Sequence, residues 1–536
     1  MNMNVTIRRL MSVFTLLFLL ISGVAAYVQV SNQAFLGGPV LAQGNYDPRR
    51  CPPYDAPLRG KIFDRNGVLL AESVKDDNAT CGYRRKYYDA SLSPLIGYFS
   101  YRFGTAGVES AYNTALSGVN QNSPWGTPNP AGEVDDLQNK ILHQPRSGQN
   151  IYLTIDEKLQ QQANKLYDSH ANGNACQPAG SNPPGSLIVT DPRNGEILAM
   201  VSRPFYDPNK IDDPNYFQQL QAAPDHPLLN HATQALYAPG STFKTVTMIA
   251  ALESDPNVLQ QTYTQDEAVN YVVNGQPFRW DDYINGYPPN LNFPITLKDG
   301  YAYSDNIIFA REAVKLGADP WRSMVRKFGI QTPGFGDDVA PVPFDAPYAQ
   351  SSAYLAKTNG KPTDFSPNLL AESGFGQGQL LISPLTMAEI TSAVAADGNL
   401  YVPHVVMKAQ PSVGGPFTQD PQVYSGGQIF SPDTAAKVRQ AMWGVSSYGT
   451  GSTVLHNGIH LADSPVKEGG KTGTAQLESG LPHTWWISLA PDDAAPGGGP
   501  AQLTITVMKE HSKEGACQVF VADDTYLAAR SLGYLK

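Results

Sequence analysis

The chain has 536 residues, 41% hydrophobic and 16% charged. That is too long for one typical domain and too apolar for a disordered protein. A net charge of −10 argues against a nucleic-acid partner, which would call for a basic stripe, and reads most simply as solubility.

Leu10 to Val28 is an apolar run broken only by Ser12, Thr15, Ser22 and Gly23. As a helix it spans ~28 Å, about the hydrocarbon thickness of a bilayer. Arg8 and Arg9 precede it, so the positive-inside rule leaves a short tail in the cytoplasm and exports the rest. Val24-Ala25-Ala26 resembles a signal-peptidase site, but the run exceeds the ~7–15 residues of a signal-peptide core, which favours an uncleaved single-pass anchor. The expected organisation is a cytoplasmic tail over 1–9, an anchor over 10–30, a linker over 31–57 and a first exported domain over 58–149. A larger domain is expected over 150–536.

The linker is rich in Gly, Pro and Asn. In the first domain, Asn66-Gly67 between two apolar segments predicts a hairpin, and a helix is expected from Val108 to Leu116. Asp156 is a plausible N-cap for a helix over Glu157 to Tyr167. Ser186–Thr190 and Glu196–Val201 flank Asp191-Pro192-Arg193-Asn194-Gly195 and read as a second hairpin. A mostly helical middle runs from Ser241 to about Gly398. Strands return at Thr472–Gln476, Trp485–Ala490 and Gln502–Met508, followed by a closing helix over Ala522 to Leu532. Strands at both ends with helices between predict an α+β domain, one antiparallel sheet covered by helices.

The four cysteines, Cys51, Cys81, Cys176 and Cys517, permit three pairings, and sequence does not choose among them. They show no Cys-x-x-Cys spacing. His456 and His460 are separated by a turn-forming Asn457-Gly458, so no metal site is expected.

The chemistry concentrates at Pro239-Gly240-Ser241-Thr242-Phe243-Lys244. On a helix, Ser241 and Lys244 share one face. A serine at a helix N-terminus lies among unpaired N–H groups that favour negative charge, and a buried lysine one turn on can lose its proton and act as a base. The spacing recurs at Ser464-Pro465-Val466-Lys467, so it is weak alone. Ser304-Asp305-Asn306 and then Lys471-Thr472-Gly473-Thr474 follow the first copy, and nothing downstream of the second copy supplies both. Ser-x-x-Lys, Ser-Asp-Asn and Lys-Thr-Gly in that order form the signature of penicillin-binding proteins and class A β-lactamases. Taken alone, Ser304-Asp305-Asn306 also reads as a helix-capping turn, and Ser366-Pro367-Asn368 is a stray Ser-x-Asn. Gly470-Lys471-Thr472 suggests a phosphate loop, but Pro465 stands where that loop needs Gly.

Further segments resemble class B, monofunctional penicillin-binding proteins of the short A-type. They are Arg59-Gly60-Lys61-Ile62 through Asp64-Arg65-Asn66-Gly67, Gly107-Val108-Glu109, Leu153-Thr154-Ile155-Asp156, Phe375-Gly376-Gln377-Gly378 and Pro384-Leu385-Thr386-Met387-Ala388. Two positions depart from the pattern: His231 in Asn230-His231-Ala232 replaces the usual Arg, which puts a support contact in doubt, and Asp305 replaces a more common Ser.

The resemblance implies a five-stranded antiparallel sheet flanked by helices, an all-helical lobe, an elongated pedestal domain and one transmembrane helix. It implies that Ser241 attacks a D-Ala-D-Ala peptide, that Lys244 takes its proton, and that Ser304 passes protons toward the leaving amine. Asn306 would bond Lys244 or the substrate amide, and Lys471, Thr472 and Thr474 would receive the terminal carboxylate. The Ser241 and Thr474 N–H groups would form an oxyanion hole, with Gly473 letting the strand approach closely. Gly376-Gln377-Gly378 and Glu109 read as structural support. No cofactor and no metal are implied.

The implied partners are peptidoglycan stem peptides, β-lactams as inhibitors, and a membrane glycosyltransferase of the SEDS type, since no glycan-polymerising domain precedes the pedestal. The implied location is the bacterial cytoplasmic membrane, with the catalytic domain outside. A D,D-carboxypeptidase or β-lactamase of the same fold is the competing enzyme class. A class A lactamase needs Glu-x-x-Leu-Asn between the second and third motifs, and none occurs there. A region of roughly 120 residues between anchor and catalytic domain is also more than a free lactamase needs. A penicillin sensor or scaffold is the non-catalytic alternative, and the presence of every catalytic side chain weighs against it.

Overall fold

A computed structural model describes residues 58–77, 79, 82–117, 148–169, 183–278, 291–330, 354–355, 366–411, 425–452, 455–456, 459–477, 479–512 and 516–536. The expected anchor and linker, together with Cys51, Cys81 and Cys176, lie outside the described residues. Among the described residues no helix is long and apolar enough to cross a membrane. Cys517 is disulfide-bonded.

The site hangs on a five-stranded sheet in the order Gly469–Ala475, His483–Ala490, Leu503–Lys509, Gly185–Thr190, Ile197–Arg203. Every neighbouring pair is antiparallel. The three central strands are buried almost throughout, so their sequences are near-continuous apolar runs with short polar residues between. On one face Ser488 Oγ meets Tyr526 Oη at 3.1 Å, and Tyr526 belongs to the helix Ala516–Ser531. On the other face Ser392 Oγ meets Thr504 Oγ1 at 3.0 Å, and Ser392 belongs to the helix Pro384–Ala395. The sheet is thus a middle layer between helices, as strands at both ends of the domain with helices between predict.

The helix Lys244–Ser254 is buried from Lys244 through Leu252. From Thr245 to Leu252 its residues are apolar or small around the whole circumference, the pattern of a helix enclosed on all sides. Burying Val246, Ile249 and Leu252 contributes roughly 1.5–3 kcal/mol each, so the helix that carries the nucleophile is anchored by the core itself.

The predicted first hairpin is present: Ile62–Phe63 pairs with Leu69–Lys75 across a turn at Gly67, φ +84. The larger sheet of the first domain runs Val406–Pro411, Gln149–Leu153, Ile62–Phe63, Leu69–Lys75, Tyr83–Tyr87. Two of its strands come from near or beyond residue 149, so the two sequence-defined regions share one sheet. The strand Val406–Pro411 is not among the elements the sequence predicts. Asp156 caps the helix Glu157–Ser169, accepting from Leu159 N at 3.0 Å. Its other oxygen accepts from Asn66 Nδ2 at 2.9 Å and Tyr534 Oη at 2.7 Å. The hairpin tip is therefore clamped to both ends of the larger domain.

The single helix expected over Val108 to Leu116 is two short ones, Gly107–Ala111 and Asn113–Ser117. Arg59 explains the break. It donates to the Glu109 carbonyl at 2.6 Å and to Asn113 Oδ1 at 2.7 Å, drawing away the carbonyl that Asn113 N–H would use in a continuous helix. Arg59 and Arg85 also bond the Glu109 carboxylate at 2.5 and 2.7 Å. All three are buried, so the expected structural role of Glu109 is that of a buried ion-pair centre.

Candidate active site

Ser241 stands on a tight 3-10 turn, Gly240–Phe243, and Lys244 opens the α-helix behind it. Sequence predicts a helix through both; the tighter start follows from local contacts. Thr242 Oγ1 donates to Pro239 O at 2.8 Å, and Gly240, φ +55, donates its N–H to Gly376 O at 2.9 Å. A Cβ on Gly376, φ +84, would lie 1.9 Å from Gly240 O, so only glycine lets this loop back the serine turn so closely. Gln377 Nε2 reaches Thr474 O at 3.4 Å. The Phe375–Gly378 loop therefore ties the serine turn to the strand that carries Lys471, as the expected support element.

The structure brings the three motifs together around one amine. Lys244 Nζ lies 2.6 Å from Ser241 Oγ, 2.6 Å from Asn306 Oδ1, 2.9 Å from Ser304 O and 3.2 Å from Ser304 Oγ. Lys471 Nζ lies 2.7 Å from Ser304 Oγ and donates to Thr472 O at 2.9 Å. Ser304 Oγ thus stands between the two lysines. Both lysines are 0% exposed. Burial holds Lys244 well below the usual lysine range, and the charge on Lys471 adds to this against the opposing pull of Asp305. Burial brings Lys471 down to about 7. Two neighbouring ammoniums in a dry site cannot both stay charged near neutral pH.

Ser304-Asp305-Asn306 is both a cap and part of the site. Asp305 Oδ1 accepts from Ile308 N at 2.8 Å and caps the helix Asn306–Leu316. Burial pushes the Asp305 carboxyl up to about 7. Its neighbours Ser304 and Asn306 turn to Lys244. Ser304 is held at φ +64, a conformation costing of order 1–3 kcal/mol that persists where the surroundings fix it. Here they do so through Ser304 N to Tyr301 O at 3.1 Å and Asp305 N to Gly300 O at 2.7 Å.

Gly473 lies against the serine turn: a Cβ there would meet Thr242 Cγ2 at 2.8 Å and Pro239 O at 3.0 Å. The competing copies of the motifs go elsewhere. Ser464 Oγ donates to Asp523 at 2.6 Å and Lys467 Nζ to Ala462 O at 3.1 Å, while Ser366 caps the helix Pro367–Gly374. His231 supplies a support contact despite replacing Arg. It is buried, with Nδ1 2.6 Å from Tyr237 Oη, and Tyr237 in turn donates to Glu510 at 2.7 Å. Thr450 lies beside the site and belongs to no motif: its Oγ1 is 2.9 Å from Thr472 Oγ1. Its only sequence mark is the glycine on either side.

The fold and the serine–lysine site define a serine acyltransferase of the penicillin-recognising type. The penicillin binding protein transpeptidase domain matches residues 185–514, and the penicillin binding protein A dimerisation domain matches residues 59–128. The chain belongs to the penicillin-binding protein transpeptidase family. It is 29% identical over 451 residues to the peptidoglycan D,D-transpeptidase PbpA of Mycobacterium tuberculosis, covering 81% of this chain and 82% of that protein. To the peptidoglycan D,D-transpeptidase MrdA of Escherichia coli it is 27% identical over 424 residues, 74% of this chain and 62% of that one. The structure of penicillin-binding protein A from M. tuberculosis as a penicillin G acyl-enzyme complex superposes with TM-score 0.71 at 25% identity. It covers 89% of this chain and all of that one.

Proposed function

We propose that this chain is a peptidoglycan D,D-transpeptidase, held on the outer face of the bacterial cytoplasmic membrane by a single span over residues 10–30. The observation that carries the reading is the setting of Lys244 Nζ, 2.6 Å from Ser241 Oγ with Ser304 O and Asn306 Oδ1 at 2.9 and 2.6 Å. A neutral amine has two hydrogens and one lone pair. With the hydrogens given to the Ser304 carbonyl and the Asn306 amide oxygen, the lone pair faces the Ser241 hydroxyl. Lys244 is then the general base, and its lowered basicity keeps it available near neutral pH.

Ser241 Oγ adds to the carbonyl carbon of the penultimate D-alanine as its proton passes to Lys244. The Ser241 and Thr474 N–H groups meet the oxygen that becomes negative, a contribution of about 2.7–4 kcal/mol per donor in a related setting. The C–N bond to the terminal D-alanine breaks, and that amine takes the proton through Ser304 Oγ. Lys471, Thr472 and Thr474 hold the terminal carboxylate. An amine from a second stem peptide then attacks the Ser241 ester, returns its proton through Ser304 and Lys244, and leaves a cross-link. A β-lactam enters the same first step, but its opened ring stays tethered, so no group departs and the ester persists. The names of the M. tuberculosis and E. coli relatives support the activity, and the family likeness supports a SEDS-type glycosyltransferase as membrane partner.

Labelled penicillin should attach to Ser241, mapped by mass spectrometry of the modified peptide, and persist for minutes to hours. A Ser241→Ala protein that still labels would overturn the assignment. Sustained turnover of a chromogenic cephalosporin would favour the hydrolase reading instead.

A further inference from the structure

The hydroxyl of Thr472 is approached from two sides. Lys471 Nζ lies 3.5 Å away and Thr450 Oγ1 2.9 Å away. Thr450 is held there by its backbone. Its N–H donates to Ala302 O at 3.0 Å, and the flanking Gly449 and Gly451 donate to Gly444 O at 2.8 Å and Val445 O at 2.9 Å. Gly449 packs so closely that a Cβ would lie 2.2 Å from Ala302 O. Ala302 is two residues before Ser304, so the Thr450 loop is fixed to the turn that carries the second motif.

A hydroxyl has one hydrogen and two lone pairs. While charged, Lys471 has no lone pair and can act toward Thr472 Oγ1 only as a donor. If Thr450 donates as well, both lone pairs of Thr472 Oγ1 are occupied and its hydrogen is left for a ligand. If instead Thr472 donates to Thr450, it has no hydrogen to offer. An anionic acceptor makes a hydrogen bond about twice as strong as a neutral one, so a bound carboxylate selects the first arrangement. We propose that Thr450 is a positioning residue: its hydroxyl donates to Thr472 Oγ1 and thereby fixes the Thr472 O–H as a donor to the terminal carboxylate of the donor peptide. The proposal rests on the transpeptidase reading and adds a residue that none of the three motifs contains.

The test compares Thr450→Val and Thr450→Ser in the full chain, using a D-Ala-D-Ala thioester donor with a free carboxylate and the same donor capped as its methyl amide. Thr450→Val should lower kcat/KM for the free-acid donor about tenfold, chiefly through KM, and change the amide-capped donor less than about twofold. Thr450→Ser should restore the wild-type rate, and Thr450→Val should add no further loss in a Thr472→Val background. Equal losses on both donors, or failure of Thr450→Ser to restore the rate in a protein with an unchanged melting temperature, would overturn the proposal. Penicillin labelling of Ser241 in the wild-type chain is the separate check on the underlying reading. If labelling succeeds and the two donors respond alike, only the role of Thr450 falls.

Discussion

Asn306→Leu tests whether the Lys244 amine is aimed or merely near. The side chains are similar in size, but leucine removes the acceptor 2.6 Å from Lys244 Nζ. Ser304 O at 2.9 Å remains, so one hydrogen of the neutral amine keeps its partner, while the other is left with the Ser304 hydroxyl at 3.2 Å, which already accepts from Lys471, around an amine with no exposure of its own. An unsatisfied buried N–H costs about 1–3 kcal/mol. The amine recovers part of that by turning the orphan hydrogen to Ser241 Oγ, which points its lone pair away from the proton it must take. Restoring the productive orientation adds about the same energy to the barrier, so acylation should slow about tenfold to a hundredfold. Stopped-flow acylation with a fluorescent penicillin separates the rate at saturation from the concentration dependence, and the loss should fall on the rate at saturation. Asn306→Asp supplies the opposite control: it keeps an acceptor but adds a negative charge, which favours the charged lysine. Its rate should recover only at higher pH than the wild type. A leucine variant that acylates at the wild-type rate, or an aspartate variant whose rising limb moves to lower pH, would refute the aimed-amine account.

Glu109→Gln leaves Arg59 and Arg85 buried without their carboxylate, which should cost about 3–5 kcal/mol in chemical denaturation; a loss under 1 kcal/mol would contradict the triad's role. Burial raises Asp492 to about 7. The native state therefore binds more protons than the unfolded chain between about pH 4 and pH 7, and stability falls as pH rises through that window. Asp492→Asn should remove the share of this dependence that Asp492 contributes beside Asp305, gaining on the wild type by up to about 4 kcal/mol at pH 7 and above, measured as melting curves across pH. Gly376→Ala places a Cβ 1.9 Å from Gly240 O at a φ of +84. It should abolish penicillin labelling and destabilise the fold by at least about 1–3 kcal/mol; an alanine variant that labels normally would show that the loop does not fix the serine turn.

The motif order and the strand runs carried most of the site in the sequence, because both are local. The apolar runs Ser186–Thr190 and Gln502–Met508 could be read as strands without knowing their partners, and the observed strands differ from them by one residue at one or both ends. The strand Val406–Pro411 could not, since it completes a sheet whose other members lie before residue 154 and only that long-range pairing defines it. The break at Tyr112 was hidden for a similar reason: the residue that draws off the Glu109 carbonyl is Arg59, 50 positions away. Thr450 carried no signal beyond its flanking glycines. Its significance depends on the Gly449–Gly451 turn meeting Ala302 and on the register that places Thr472 beside it.

Asp305 shows how one residue meets two demands that sequence could only list as alternatives. A cap at the start of the helix Asn306–Leu316 requires a short acceptor at residue 305, and Asp305 Oδ1 provides it. Once that cap fixes the helix start, Asn306 becomes its first residue and is directed to Lys244. The positive φ of Ser304 turns the chain the other way, so that its carbonyl and hydroxyl both come within 3.2 Å of the same amine. The carboxyl supports a second function without touching the substrate. It lies buried beside the lysine base, and its negative form opposes the fall in Lys244 basicity that burial and Lys471 produce. Capping therefore sets the geometry of the base, and the same group moderates how far its basicity is lowered.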